Sequence, residues 1–314
     1  MDKITSKAII GSFYKTLNQN VGAGWIDQVS NYFTSTQAYE EYAWLGQAPS
    51  MRKEVGGRLA RKLKETSFTI RNEHYESTLE IHENDLRRDK TGQVMIRVGE
   101  QARRANAHWA TLLSTLIANA NSSLCYDGQY FFDTDHVEGD SGSQSNSIQC
   151  DISAYPVGVH GTTTAPSVSE CQMAIVKGIT QILGFKDDTG EVMNDDANSF
   201  MVMTALPLYM TLLQAVATPT QVSESQTVLE AAKRDFNIKV VANPRLTWTE
   251  SFAVFRTDSA LKSFIRQEEG GIRMNVLAEG SDHTFKNFTH LYGIDGWRNV
   301  GYGMWQNSCL VTLI

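Results

Sequence analysis

The sequence predicts an α+β chain folded into more than one lobe, and three patterns carry that expectation. Residues alternate apolar and polar from Phe68 to Ile81, the signature of strands with one buried face. Apolar residues then recur at steps of three and four from Val98 to Ala120, which reads as one long amphipathic helix. Beyond it, helix and strand signals alternate and finally give way to strands alone. At 314 residues the chain exceeds the roughly 250 to 300 at which single cores stop growing, so two lobes are expected.

Composition narrows the function classes. Lys+Arg total 28 against 35 Asp+Glu, a net charge of -7, which argues against a broad basic face for duplex DNA. Cys125, Cys150, Cys171 and Cys309 lie far apart with no Cys-x-x-Cys pair, so a structural zinc site is not expected and four reduced thiols are. The opening "MDKITSKAIIGSFYKTL" lacks the apolar run and cleavage site of a signal peptide, which makes a cytoplasmic origin the default expectation.

Taken in order, residues 1–50 form an arm with short apolar patches, Ile9 to Tyr14 and Trp25 to Phe33. These are too few to close a core, so the arm should lie on its own subunit or on a neighbour. Residues 51–90 hold the cationic run Arg52, Lys53, Arg58, Arg61, Lys62 and Lys64, read as a solvated or subunit-facing surface, and then a long β-hairpin interrupted at "RNEH". Two strands alone are marginal in water, so this hairpin needs support from outside itself. The helix that follows "DKTG" spans roughly 40 Å at 1.5 Å per residue, with Trp109 at the centre of its stripe, and ends at "NANSS".

A helix from Val168 to Leu183 comes next. The stretch Phe200 to Ala217 approaches the roughly 20 apolar residues of a membrane span. Pro207 instead divides it into a buried strand and a helix with proline in its first turn. Strands at "NIKVVANPRL" and "SFAVFRTD" lead through a link at "RQEEGG" to "HTFKNFTHLYGID" and "NVGYGMWQNSCLVT", read as an antiparallel pair joined at "GIDGWRN".

The search for chemistry centres on "YDGQYFFDTDH". Asp133, Asp135 and His136 could in principle hold a divalent cation, but the other histidines form no H-x-H or H-x-x-x-H pair. Asp- and Gly-rich text is also what turns use. There is no "GxxxxGK" phosphate loop, no dinucleotide-binding glycine pattern and no "GxSxG". No catalytic residue, metal ligand or cofactor is assigned. An aromatic arm, a long hairpin that needs support and one long helix together suggest a part that assembles.

Three blocks then resemble one family in its own order: "SFTIRNEHYESTLEIHENDLRRDKTG", "LCYDGQYFFDTDH" and "HLYGIDGWRNVGYGMWQ" are similar to the major head proteins of Mu-like phages, which have the Hong Kong 97-type capsid fold. Arg87-Arg88-Asp89 departs from the family, which more often carries acidic residues there, so no salt bridge is carried over at that corner. The resemblance implies an N-terminal arm (1–50), an extended loop (51–90), a peripheral domain with a spine helix (91–164), an axial domain (165–258) and peripheral C-terminal strands (259–314). It implies a shell of pentamers and hexamers around double-stranded DNA bound without sequence specificity, built in the host bacterial cytoplasm, with scaffold, portal and decoration partners and no membrane. With the hairpin argument it assigns Phe68, Ile70, Arg71, Tyr75, Leu79 and Ile81 to contacts between subunits. The alternatives are a cellular encapsulating shell of the same fold, or a metal-dependent hydrolase centred on Asp133, Asp135 and His136.

Overall fold

The computed structural model describes residues 5–19, 22–42, 68–88, 92–217 and 235–314. The cationic run from Arg52 to Lys64 lies outside the described residues. The N-terminal part comprises α1 (Ser6–Gln19), α2 (Ile26–Val29), β1 (Ser30–Ser35), β2 (Tyr39–Tyr42), β3 (Phe68–Arg71), β4 (Glu73–His82), α3 (Glu83–Arg88) and α4 (Gln93–Ala118). After it come β5 (His136–Val137), β6 (Ser143–Gln144), β7 (Ser147–Cys150), α5 (Val168–Leu183), β8 (Ser199–Thr204), α6 (Leu206–Ala217) and β9 (Asn237–Ala242). The chain ends with β10 (Ser251–Arg256), β11 (Phe264–Leu277), β12 (Thr289–Tyr302) and β13 (Ser308–Leu313).

Two sheets organise these elements. The first has strand order β1-β11-β12-β4, with β1 parallel to β11 and the other pairs antiparallel. Beneath it runs α4, whose apolar stripe serves two cores. Its first half, Val94, Val98 and Ala102, packs with Ile9 and Phe13 of α1 and with Ile81, Leu86, Tyr292 and Ile294. Its second half, Trp109, Ala110, Leu113 and Ile117, enters the larger core. The arm's first helix therefore lies on its own subunit.

The second sheet has order β7-β13-β10-β8-β9 and is packed by α5 and α6. Ser167 and Glu170 close a capping box at the start of α5, satisfying donors that the first turn would otherwise leave open. Gly178 lets that helix settle onto the sheet, since a Cβ there would crowd Val254 and Val311. The strand-then-helix reading of Phe200 to Ala217 holds, with Pro207 second in α6. No helix among the described residues is long and apolar enough to cross a membrane.

Three expectations are corrected. The stretch Phe68 to Ile81 is not a hairpin: β3 pairs with β2, β4 pairs with β12, and the two do not pair with each other. Only Asn72 separates them. It is buried, and its amide donates to Gln37 O (2.8 Å) and Ser35 Oγ (3.1 Å), so the chain changes partners there instead of reversing. Second, "RQEEGG" is no link but the middle of β11, where Gly270 and Gly271 at φ 70° and 72° form a bulge between Glu269 and Arg273. Third, "GIDGWRN" lies inside the continuous strand β12, "HTFKN" falls in a one-turn helix (Asp282–Asn287), and β13 joins the other sheet. Within "GIDGWRN", Gly293 marks close approach rather than a turn, since a Cβ there would lie 3.3 Å from Thr78 Oγ1; further along the strand a Cβ at Gly301 would collide with Ile70.

Candidate assembly surface

The segment after α4 is held by a buried node of side chains. His136 is fully buried, with Nδ1 2.6 Å from Asp127 Oδ2, Nε2 3.2 Å from Asn146 Oδ1, and its ring stacked on Trp305 at 4.0 Å. Asp133 uses its carboxylate locally, accepting from the backbone N–H of Tyr130 (3.1 Å) and of Thr134 (2.7 Å). Asp135 is exposed and stands outside the node. The three residues offered as metal ligands are thus not brought together. Among the described residues no group of three or more His, Cys, Asp or Glu is placed to hold a metal ion.

A second layer ties the same turn to the C-terminal strands. Tyr126 donates to Glu138 Oε1 at 2.5 Å, and Gln306 Nε2 and Trp305 Nε1 donate to the same oxygen at 3.0 and 3.3 Å. Burial pushes the Glu138 carboxyl up, against these hydrogen bonds, and pushes the Tyr126 phenol well above its ordinary range. Asn146 adds backbone bonds to Phe131 O (2.7 Å) and Trp305 O (3.4 Å). The aromatics anchor as expected: Phe131 stacks on Tyr302 at 4.8 Å.

The six residues assigned to subunit contacts separate into two groups. Ile70 and Ile81 are buried in the subunit's own two cores, and Phe68 and Leu79 are half-buried against them. Arg71 is exposed and Tyr75 half-buried beside His108, at 4.4 Å between ring centroids. A charged centre lies next to them. Arg298 donates to Glu268 and to Ala105 O while lying over Trp109, and Tyr32 donates to the other Glu268 oxygen at 2.7 Å.

Between α4 and the inner face of β4 and β12 the sheet is not fully covered, leaving a groove of about 540 Å³. Tyr75, Leu79, Ile272 and Ile294 give it apolar walls, and Gln101 projects into it from α4. Sequence reading missed this groove because β4 was paired with the wrong partner. The signal was present in β12, whose His290, Tyr292 and Ile294 alternate as a buried row opposite Ile81, Leu79 and Ser77.

A family model described as "Mu-like prophage major head subunit gpT" matches residues 5–157 and 223–312. The chain belongs to this family. It is 32% identical over 112 residues to the Mu-like prophage FluMu major head subunit of Haemophilus influenzae, and 27% identical over 139 residues to the major capsid protein of Escherichia phage Mu. Those matches span 36% and 46% of the lengths of these relatives. Among solved structures, the procapsid of bacteriophage JBD30 aligns with TM-score 0.56 at 22% identity, covering 98% of this chain and 76% of that one. The capsid of cyanophage P-SCSP1u aligns with TM-score 0.56 at 12% identity, covering 94% and 89%. The fold is therefore that of the phage capsid subunit, the Hong Kong 97 type.

Proposed function

We propose that this chain is a major capsid protein whose copies assemble as pentamers and hexamers into an icosahedral head enclosing double-stranded DNA. The observation that carries the reading is the family match, which takes in α4, the node behind it and all four strands of the first sheet. On this reading residues 1–50 form the N-terminal arm, 51–90 the extended loop, 91–164 and 259–314 the peripheral domain, and 165–258 the axial domain. Arg71 and Tyr75 are the assigned residues with side chains left to offer a neighbour. Repeated contacts closing around symmetry axes stabilise such a shell by multivalency rather than by one strong interface. A chain of net charge -7 also suits packaging, since the genome is enclosed without adhering tightly to the wall. Scaffold, portal and decoration proteins are the further partners this role calls for, and the virion is its location.

Electron microscopy of the purified, concentrated protein tests the proposal. Closed shells of uniform size are expected, and a protein that remains monomeric at every concentration would overturn it. Nuclease digestion and protein staining of particles taken from cells separate packaged DNA from a protein cargo, the mark of a cellular shell of the same fold.

A further inference from the structure

Two exposed features among the described residues complement each other. The first is the groove between α4 and β4. Gln101 is only 8% exposed, and its Nε2 donates to Ser77 O at 3.0 Å, but its Oε1 is buried and has no hydrogen-bond partner among the described residues. An unpaired buried acceptor is costly and is rare in a finished interior. On the rim, Glu76 and Arg97 are exposed and have no ionic partner among the described residues, whereas Glu100 is paired with Arg104, Arg298 with Glu268, and Asp295 with Arg273. The groove thus offers apolar walls with the Glu76 carboxylate, which accepts from the Thr78 hydroxyl at 3.0 Å, and the Arg97 guanidinium exposed on its rim.

The second feature is the tip of the β11–β12 ribbon. There Phe285 is 84% exposed and Phe288 is 61% exposed. Phe288 also adopts φ 55°, a left-handed conformation that bulky side chains avoid, in closing the short helix, where its N–H donates to Thr284 O at 2.9 Å. The same turn carries Asp282 and Lys286, both exposed and without an ionic partner among the described residues, spaced i, i+4 on one face. The tip is therefore an aromatic knob bearing one charge of each sign, and the groove rim bears the two opposite charges.

We propose that the groove of one copy receives the Asp282–Phe288 knob of a second copy, with Lys286 against Glu76, Asp282 against Arg97, and the two phenylalanines against the apolar walls. This rests on the shell reading and names a contact within it. Knob and groove are different patches, so the contact is heterologous and propagates from copy to copy, as a closed ring or shell requires. Aromatic side chains entering a partly apolar cleft ringed by polar groups are the usual anchors of such contacts.

The test uses the full chain with Glu76→Cys and Lys286→Cys together. The native cysteines are buried, so under mild oxidation the double variant should give a ladder of linked chains on a non-reducing gel, and each single variant at most dimers. Particles that form without the ladder would overturn the contact while leaving the shell reading intact. A wild-type chain that forms no particles would overturn the shell reading. Should the cysteine variant fail to assemble, charge reversal decides: Glu76→Lys and Lys286→Glu should each lower particle yield by about ten-fold through repeated like-charge contacts, and the two combined should restore it. Folded single variants that assemble normally, or a combination without rescue, would refute the pairing.

Discussion

The guanidinium of Arg298 on β12 lies 4.6 Å from the ring centroid of Trp109 on α4, and Arg266 on β11 approaches the same ring at 5.7 Å. The long helix is therefore clamped to the sheet through an aromatic ring contacted by two cations, one of which is paired with the buried Glu268. A cation over an indole face contributes about 0.5 to 2 kcal/mol, depending on how dry the site is.

Replacing Trp109 with alanine removes both the packing and the cation contacts. The expected loss is about 3 to 5 kcal/mol, read from denaturant melts of the unassembled subunit, with insoluble or unassembled chain as the cellular result. Trp109→Phe keeps an aromatic face and should lose much less. Equal melts for wild type and Trp109→Ala would show that the ring does not hold the helix to the sheet.

The fit of β3 over β12 makes a second prediction. Gly301 has no side chain because the Ile70 side chain fills that space, and Ile70 is 3% exposed. Gly301→Ala should cost about 1 to 3 kcal/mol by overpacking, and Ile70→Ala about 2 to 5 kcal/mol by cavity formation. The double variant should be more stable than their sum by roughly 0.5 to 3 kcal/mol, because each change relieves the other. Strict additivity would mean that β3 does not pack on its own subunit in solution.

These two sites also mark what the sequence made legible. The helix stripe around Trp109 was readable because one 3.6-residue period ran through 23 residues with little to interrupt it, and the strand and proline-led helix at Phe200 to Ala217 followed from the proline's missing donor. Strand partners were harder, because alternation tells which face of a strand is buried but not which strand lies beside it. β3 and β4 are nearly contiguous yet belong to different ladders, and the change of partner rests on hydrogen bonds of Asn72 to residues more than thirty positions away. The glycines of "GIDGWRN" misled for a related reason: Gly293 and Gly296 read as a turn in sequence, yet both lie within β12, where Gly293 lets the Thr78 hydroxyl of β4 come close. At "DTDH" the turn character was legible from composition, but the partners of His136 were not, since Trp305 arrives from the far end of the chain.

All four cysteines are buried and free, and burial raises the thiols of Cys125, Cys171 and Cys309, with Cys171 at about 12. A buried thiol above its ordinary range carries almost no thiolate at neutral pH. A chromogenic disulfide reagent should therefore find no fast-reacting group in the native subunit and four after denaturation without reductant. Fewer than four in the denatured, unreduced chain would reveal a disulfide.

The buried carboxyl of Glu138 gives the node a pH signature. Its folded value is raised, first by burial and then by the nearby Asp127 charge, and this outweighs the hydrogen bonds from Tyr126, Trp305 and Gln306. A raised carboxyl favours the folded state while protonated. Its contribution is fully present below the ordinary glutamate value of about 4.3 and is lost as pH rises through the folded value. Other carboxyls act in the opposite sense. Burial pushes Glu170 up, but the N–H groups of Ser167 and Gly161 bring it below its usual range, and Arg256 does the same for the part-buried Asp258, so their contributions are lost as pH falls. Those groups are unchanged in Glu138→Gln and cancel when variant and wild type are compared. The amide retains an oxygen for the Tyr126 hydroxyl but cannot ionise. The wild type should therefore lose stability relative to Glu138→Gln as pH rises from about 4 to 7, followed by thermal melts at matched ionic strength. A difference in Tm that stays constant across that range would mean that Glu138 does not change its protonation on folding and that the node carries no proton-linked stability.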